Sequence, residues 1–165
     1  MSKADDKYLI QFLKPFSKPL QDLVMQLRSI VWDWYPHANE LIYDNYNALA
    51  FGWSVSDRLP FTFCTMAVFS TYMHFGFYDG KTLTDPKKIL LGKGNQYRYI
   101  VIKDINSFPK AYMRKLLKES YSQASFKLFL ADEKTSIKLK GKKLPSHPKG
   151  MTIVKSISPK KRRPE

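Results

Sequence analysis

The amino-acid sequence predicts an α+β fold, an antiparallel sheet with its helices packed on one side. Three observations lead there. An apolar stripe of helical period covers residues 20–34, the period drops to two between 39 and 78, and a helical stripe returns after Ser107. The strands are therefore clustered between helices, in the order α-α-β-β-β-β-α-β-α.

Residues 7–13 form a short amphipathic stretch, stopped by Lys14-Pro15. Ser17 reads as a helix N-cap with Pro19 in the first turn, where a missing N–H is harmless. Leu20, Leu23, Val24, Leu27, Ile30, Val31 and Trp34 then share one helix face, while Gln21, Gln26, Arg28 and Asp33 fall off it. Pro36 ends this helix. Residues 39–46 and 48–55 read as strands, and 56–60 as a turn. In the following strand Phe61, Phe63, Thr65, Ala67 and Phe69 share one face, and Thr62, Cys64, Met66 and Val68 the other. Both faces are mostly apolar, which predicts a central strand covered on both sides. Residues 72–78 alternate too, Asp79-Gly80 closes them, and the spacing of turns implies an antiparallel meander.

Asp85 as cap and Pro86 at the first helical position predict a short helix, ended by Gly92-Lys93-Gly94-Asn95. Tyr97–Lys103 is a strand at the end of the sheet. The last helix begins at Ser107 and Pro109. It should bury Tyr112, Met113, Leu116, Leu117, Ser120 and Ala124, and turn Lys110, Arg114, Lys115 and Lys118 to solvent.

A chain of 165 residues, 44% hydrophobic and 15% aromatic, holds enough apolar side chain for one core without staples. One cysteine, Cys64, excludes a disulfide scaffold and a multi-cysteine zinc site. The start lacks the apolar core of a secretory signal, and no apolar run reaches the ~18 residues of a membrane span. A cytoplasmic protein without membrane contact is expected.

The net charge of +14 is uneven: residues 127–165 hold 12 Lys/Arg against 3 Asp/Glu, and residues 1–126 hold 16 against 11. This divides the chain into a domain, 1–126, and a basic C-terminal extension, 127–165. In the extension, 136–140 and 151–154 alternate, which predicts a short hairpin bridging 142–149. Its end, Pro159-Lys160-Lys161-Arg162-Arg163-Pro164, suits phosphate binding or simple solubilisation.

Two side-chain groups suggest chemistry. His37, Glu40 and Asp44 have the spacing of a His/carboxylate metal site, but without a second His the stronger reading has Glu40 accepting backbone or tyrosine hydrogen bonds. His74 shares a strand face with Tyr72 and Tyr78, and Gly76 between them leaves space for a ligand. Tyr43, Tyr46, Trp53 and Arg98 join them as walls and polar tips. The competing reading is a core of tyrosines with one surface histidine. Catalysis finds no support: Cys64 sits in an apolar strand, no nucleophile elbow occurs, and Gly92-Lys93-Gly94-Asn95 lacks phosphate-loop spacing. Sheet aromatics plus a basic tail would suit nucleic acid, although Lys and Arg cluster in the tail and a tail folded over the sheet would hide the rings.

The run Tyr35-Pro36-His37-Ala38-Asn39-Glu40-Leu41-Ile42-Tyr43, then Leu49-Ala50-Phe51, resembles the opening signature of the YdhG-like family, domain of unknown function 1801. Phe75-Gly76-Phe77-Tyr78 with Gly80, Leu90-Leu91-Gly92-Lys93-Gly94 before Arg98-Tyr99-Ile100, and Asp104-Ile105 ahead of Leu116–Ala124 extend the likeness over residues 6–126. Asp44-Asn45-Tyr46-Asn47-Ala48 departs from the family's Gly-x-Pro. The resemblance implies a small intracellular α+β protein, with a frataxin-like iron chaperone among its relatives. Iron delivery calls for an acidic surface, whereas this domain is itself cationic and its long first helix offers only Asp22 and Asp33.

The expectation is a non-catalytic binder of a small ligand or protein partner, a monomer or weak dimer, with no resident cofactor. Glu40, Tyr43, His74, Tyr78 and Arg98 are its candidate ligand-binding residues. The alternatives are an iron chaperone and a nucleic-acid accessory protein acting through 127–165.

Overall fold

The computed structural model describes residues 3–45, 48–137 and 152–156. The elements are α1 (Lys3–Leu13), α2 (Lys18–Trp34), β1 (Asn39–Asn45), β2 (Ala48–Ser54), β3 (Thr62–Val68), β4 (Met73–Phe77), β5 (Arg98–Ile102), α3 (Lys110–Ile137) and β6 (Thr152–Ser156). The protein is α+β. Strands β1 to β5 form a five-strand antiparallel meander, and β6 pairs antiparallel with β1, so the order is β5-β4-β3-β2-β1-β6. No helix among the described residues is long and apolar enough to cross a membrane.

One side of the sheet is the core. Ile42, Phe51, Met66, Phe75 and Ile100 stand in register across five strands, and all are buried. α1 and α2 supply the facing layer, including Leu9, Leu13, Leu20, Leu23, Val24, Leu27 and Val31. Each such side chain contributes about 1.5–3 kcal/mol relative to exposure, far more than helix propensity could. Trp32 of α2 meets Trp53 of β2 edge to face, 6.3 Å between centroids.

α3 crosses the end of the sheet where the β2–β3 and β4–β5 connections lie. Ser120 Oγ donates to the Phe63 carbonyl at 2.7 Å. Gln123 meets Thr82, Glu119 accepts from the Thr84 N–H, Lys127 pairs with Asp79, and Asp132 pairs with Arg58. The predicted burial of Met113, Leu116, Leu117, Ser120 and Ala124 holds, while Tyr112 of the same set is only half-buried.

Several expectations are corrected. The short helix after Asp85 does not form. Lys88 adopts φ 53°, a left-handed conformation that a continuing helix cannot accommodate. The Asp85 carboxylate instead gathers the Leu90 N–H at 2.9 Å and the Tyr112 hydroxyl, and the segment is a turn leading to a bridge between Leu91 and Tyr99. Burial raises the Asp85 pKa, but these bonds, with those from Ile89 and Lys88, outweigh it and hold the carboxyl below its usual range.

Arg28, placed off the apolar stripe, is buried against Glu40. β3 is central but not covered on both sides: Thr65 and Ala67 on its outward face stay half-exposed. A bulge at Trp53/Ser54 also puts Ser54 opposite Thr62, so Thr62 leans with Tyr43 over Gly52 rather than following Cys64. The hairpin within the extension is replaced. Ser136 and Ile137 belong to α3, and β6 takes β1 as its partner. Residues 138–151 and 157–165 lie outside the described residues, and α3 runs unbroken through position 126.

Candidate functional site

The sheet's second side faces outward, and strand register sets what it carries. One row runs Tyr43, Ala50, Ala67, His74, Val101 from β1 to β5. The next runs Leu41, Gly52, Thr65, Gly76, Tyr99. The middle of both rows is small, and β1 and β4 are three strand spacings apart, about 14 Å at ~4.8 Å per strand. The Tyr43 ring and Thr62 cover Gly52, and Tyr97 reaches Thr65, so the half-exposed floor of the trough is Ala50 and Ala67, with Thr65 at its margin.

The wall on β4 and β5 is aromatic. The His74 imidazole stacks on the Tyr99 ring, 3.9 Å between centroids and 15° between planes. Tyr99 stacks in turn on Tyr97, and Phe69 and Tyr72 close on the other flank of His74. Tyr97 arches over Gly76 and reaches Thr65, its hydroxyl 3.4 Å from Oγ1. The space at Gly76, expected to admit a ligand, is thus taken by the Tyr97 ring. Burial pushes the Tyr97 phenol up to about 12, partly opposed by the Thr65 bond.

Loss of hydration holds the His74 pKa below 6.5. Its folded state prefers the neutral ring, so this contribution to stability is complete above the unfolded value and fades as pH falls through the folded one. The thermal midpoint of the wild type should therefore drop more between about pH 7.5 and pH 5 than that of His74→Phe, which has no such proton to bind. Parallel curves for the two proteins would remove this role from His74.

The opposite wall is Tyr43 on β1. Its ring lies over Gly52, and both its hydroxyl and Thr62 Oγ1 are buried without a hydrogen-bond partner. Burial, with Tyr78 second, raises the Tyr43 pKa and keeps the phenol protonated. Tyr78 is half-buried, with the Lys127 ammonium 5.6 Å above its ring.

Of the five candidate residues, Tyr43, His74 and Tyr78 come to the outward side. Glu40 does not. It is 0% exposed on the core side, where Arg28 Nε and Nη2 donate to its two oxygens at 2.7 and 2.8 Å. Arg98 pairs with Phe77 in the core-facing register, and its guanidinium donates to the Gly94 and Tyr97 carbonyls, both at 2.7 Å. Trp53 is buried in the core, and Tyr46 lies outside the described residues.

His37 is exposed and its neighbour Glu40 is sequestered, so the spacing of a metal site does not become one. Among the described residues no three His, Cys, Asp or Glu side chains could hold a metal ion. Burial raises the Cys64 thiol pKa well above its usual value. A separate open groove of about 370 Å³ lies beside Thr84, Pro86, Lys87, Ala111, Tyr112 and Lys115, away from all these groups.

Sequence reasoning missed Tyr99, Phe69 and the small floor. The alternation Tyr97, Tyr99, Val101 was visible, but only register places Tyr99 against His74.

Fold and face together define an α+β protein with helices against one side of an antiparallel sheet and an aromatic-walled trough on the other. No protein-family model, curated protein or solved structure matches the chain.

Proposed function

We propose that this is a non-catalytic binding protein, of YdhG-like kind, whose ligand or partner lies in the outward trough. One observation carries the reading: the half-exposed row Tyr72, His74, Tyr99 stands beside the small, half-exposed side chains of Ala67 and Ala50. Aromatic walls give contact area at low entropic cost, and His74 nitrogens and tyrosine hydroxyls give direction. The iron reading gains nothing from the described residues, whose carboxylates are dispersed or paired.

Native mass spectrometry of the full chain as isolated tests this. A discrete added mass should be retained by the wild type and lost from His74→Ala and Tyr99→Ala, with both variants still folded. Truncation at 126 is unsuitable, since it cuts α3 and removes β6. An added mass kept by both variants would move the site elsewhere, and a bare wild-type chain would withdraw the reading.

A further inference from the structure

We propose that the groove between residues 84–87 and the first two turns of α3 binds a small organic anion with a flat apolar body, an aromatic carboxylate. The site is separate from the trough and does not rest on it.

The groove, about 370 Å³, is lined by Thr84, Pro86, Lys87, Ala111, Tyr112 and Lys115. That volume falls within the ~300–1,000 Å³ of small-molecule clefts. Bonds fix its frame at both ends. The Tyr112 hydroxyl donates to the Asp85 carboxylate and accepts from the Lys87 N–H at 3.2 Å. Two helical turns further along α3, Glu119 accepts from the Thr84 N–H at 2.9 Å and from its hydroxyl at 3.0 Å. Lys115 stands between these ties, one turn from each, so all three share one side of the helix. The walls are set before a ligand arrives, which lowers the ordering cost of binding.

Charge selects an anion. Segments 84–91 and 108–119, which build the groove, hold Lys87, Lys88, Lys110, Arg114, Lys115 and Lys118 against Asp85 and Glu119. All six cations are exposed, and Arg114 alone is turned to a ring outside the groove, that of Trp34. Both carboxylates are held within the frame, Asp85 accepting also from the Leu90 N–H at 2.9 Å. No ion pair among the described residues includes Lys87 or Lys115. Two ammoniums without a counter-ion therefore flank the groove, and they attract anions.

The surface between them selects the body. Pro86, Ala111 and the Tyr112 ring present carbon, and the Lys87 ammonium lies 4.9 Å from the centre of that ring. A bare inorganic anion would leave this carbon wet, and a neutral aromatic would leave both ammoniums unanswered. An aromatic carboxylate meets both.

The probe is naphthoate, titrated into the isotope-labelled full chain and followed by amide NMR shifts. Naphthamide is its neutral isostere, and inorganic phosphate the bare anion. Saturable shifts are expected at the amides of Thr84, Lys87, Ala111 and Lys115, with a dissociation constant below about 1 mM. Lys87→Gln and Lys115→Gln should each weaken binding about 3-fold and together about 10-fold, within the range of exposed ion pairs. Ala111→Trp, which fills the floor from an exposed helix position, should abolish it. Thermal midpoints near wild type separate lost binding from lost fold in these variants. His74→Ala should bind naphthoate as the wild type does.

No saturable shift at those amides in the wild type overturns the proposal. So does naphthamide binding as tightly as naphthoate, because the ammoniums would then play no part. Phosphate binding as tightly as naphthoate overturns it too, since the apolar floor would be idle. Shifts centred on Tyr72 and Tyr99 and lost in His74→Ala would move naphthoate to the trough, overturning the groove and supporting the trough.

Discussion

Glu40→Ala should lower the unfolding free energy by about 3–5 kcal/mol, the range for removing one partner of a buried ion pair. Arg28 is 3% exposed and Glu40 0%, and two charge-assisted bonds join them. Deleting the carboxylate leaves a guanidinium charged at any accessible pH without its main counter-ion, inside a layer that includes Leu27, Val31 and Trp53. Urea denaturation should show the midpoint moving sharply down with little change in slope. Replacing both partners, as Arg28→Met with Glu40→Leu, should recover much of the loss, since the cost lies in the stranded charge. A Glu40→Ala midpoint near wild type would mean that water reaches Arg28.

Gly76→Ala should be the most damaging single-methyl change on the outward face, at about 1–3 kcal/mol for overpacking. A Cβ there would stand 2.7 Å from the Tyr97 ring and hydroxyl and 2.8 Å from the Arg98 carbonyl. The tyrosine could swing away, but the carbonyl belongs to β5 and can move only with its strand. The Tyr97–Thr65 bond and the stack on Tyr99 would be disturbed together. Gly76→Ala combined with Tyr97→Ala relieves only the side-chain part, so it should not return fully to the Tyr97→Ala level. Equal stabilities of that pair, in thermal or urea melts, would show that β5 yields freely.

Much of the architecture could be read from local pattern. The stripe of α2, the alternation of β1 to β4 and the buried positions of α3 each follow from residues close in sequence, because helix and strand periods decide which side chains share a face. The errors have particular causes. Asp85 before Pro86 has the sequence pattern of a helix cap, whereas its bonds to Leu90 and Tyr112 close a turn around a left-handed Lys88. Arg28 falls off the apolar stripe of its helix, and no local signal reveals its partner, a carboxylate twelve residues away on β1. Gly76 does leave space on its strand, but the ring that fills it comes from Tyr97, which precedes β5.

The outward face was half legible. The chemistry and strand parity of Tyr43 and His74 are visible in the sequence, and register does put them on the outward side. Tyr99, Ala50 and Ala67 become neighbours only through the pairing of β1 to β5. Charge sets the basic extension apart from the domain, yet its strand β6 lies along β1. By itself the sequence determined α2, the strands β1 to β5, α3 and the sidedness of most of their residues, since these depend on contacts within one turn or one pleat. Only the tertiary structure decided the Arg28–Glu40 pair, the filling of Gly76 and the trough, because a one-residue change of register or bulge would give every cross-strand position a different neighbour.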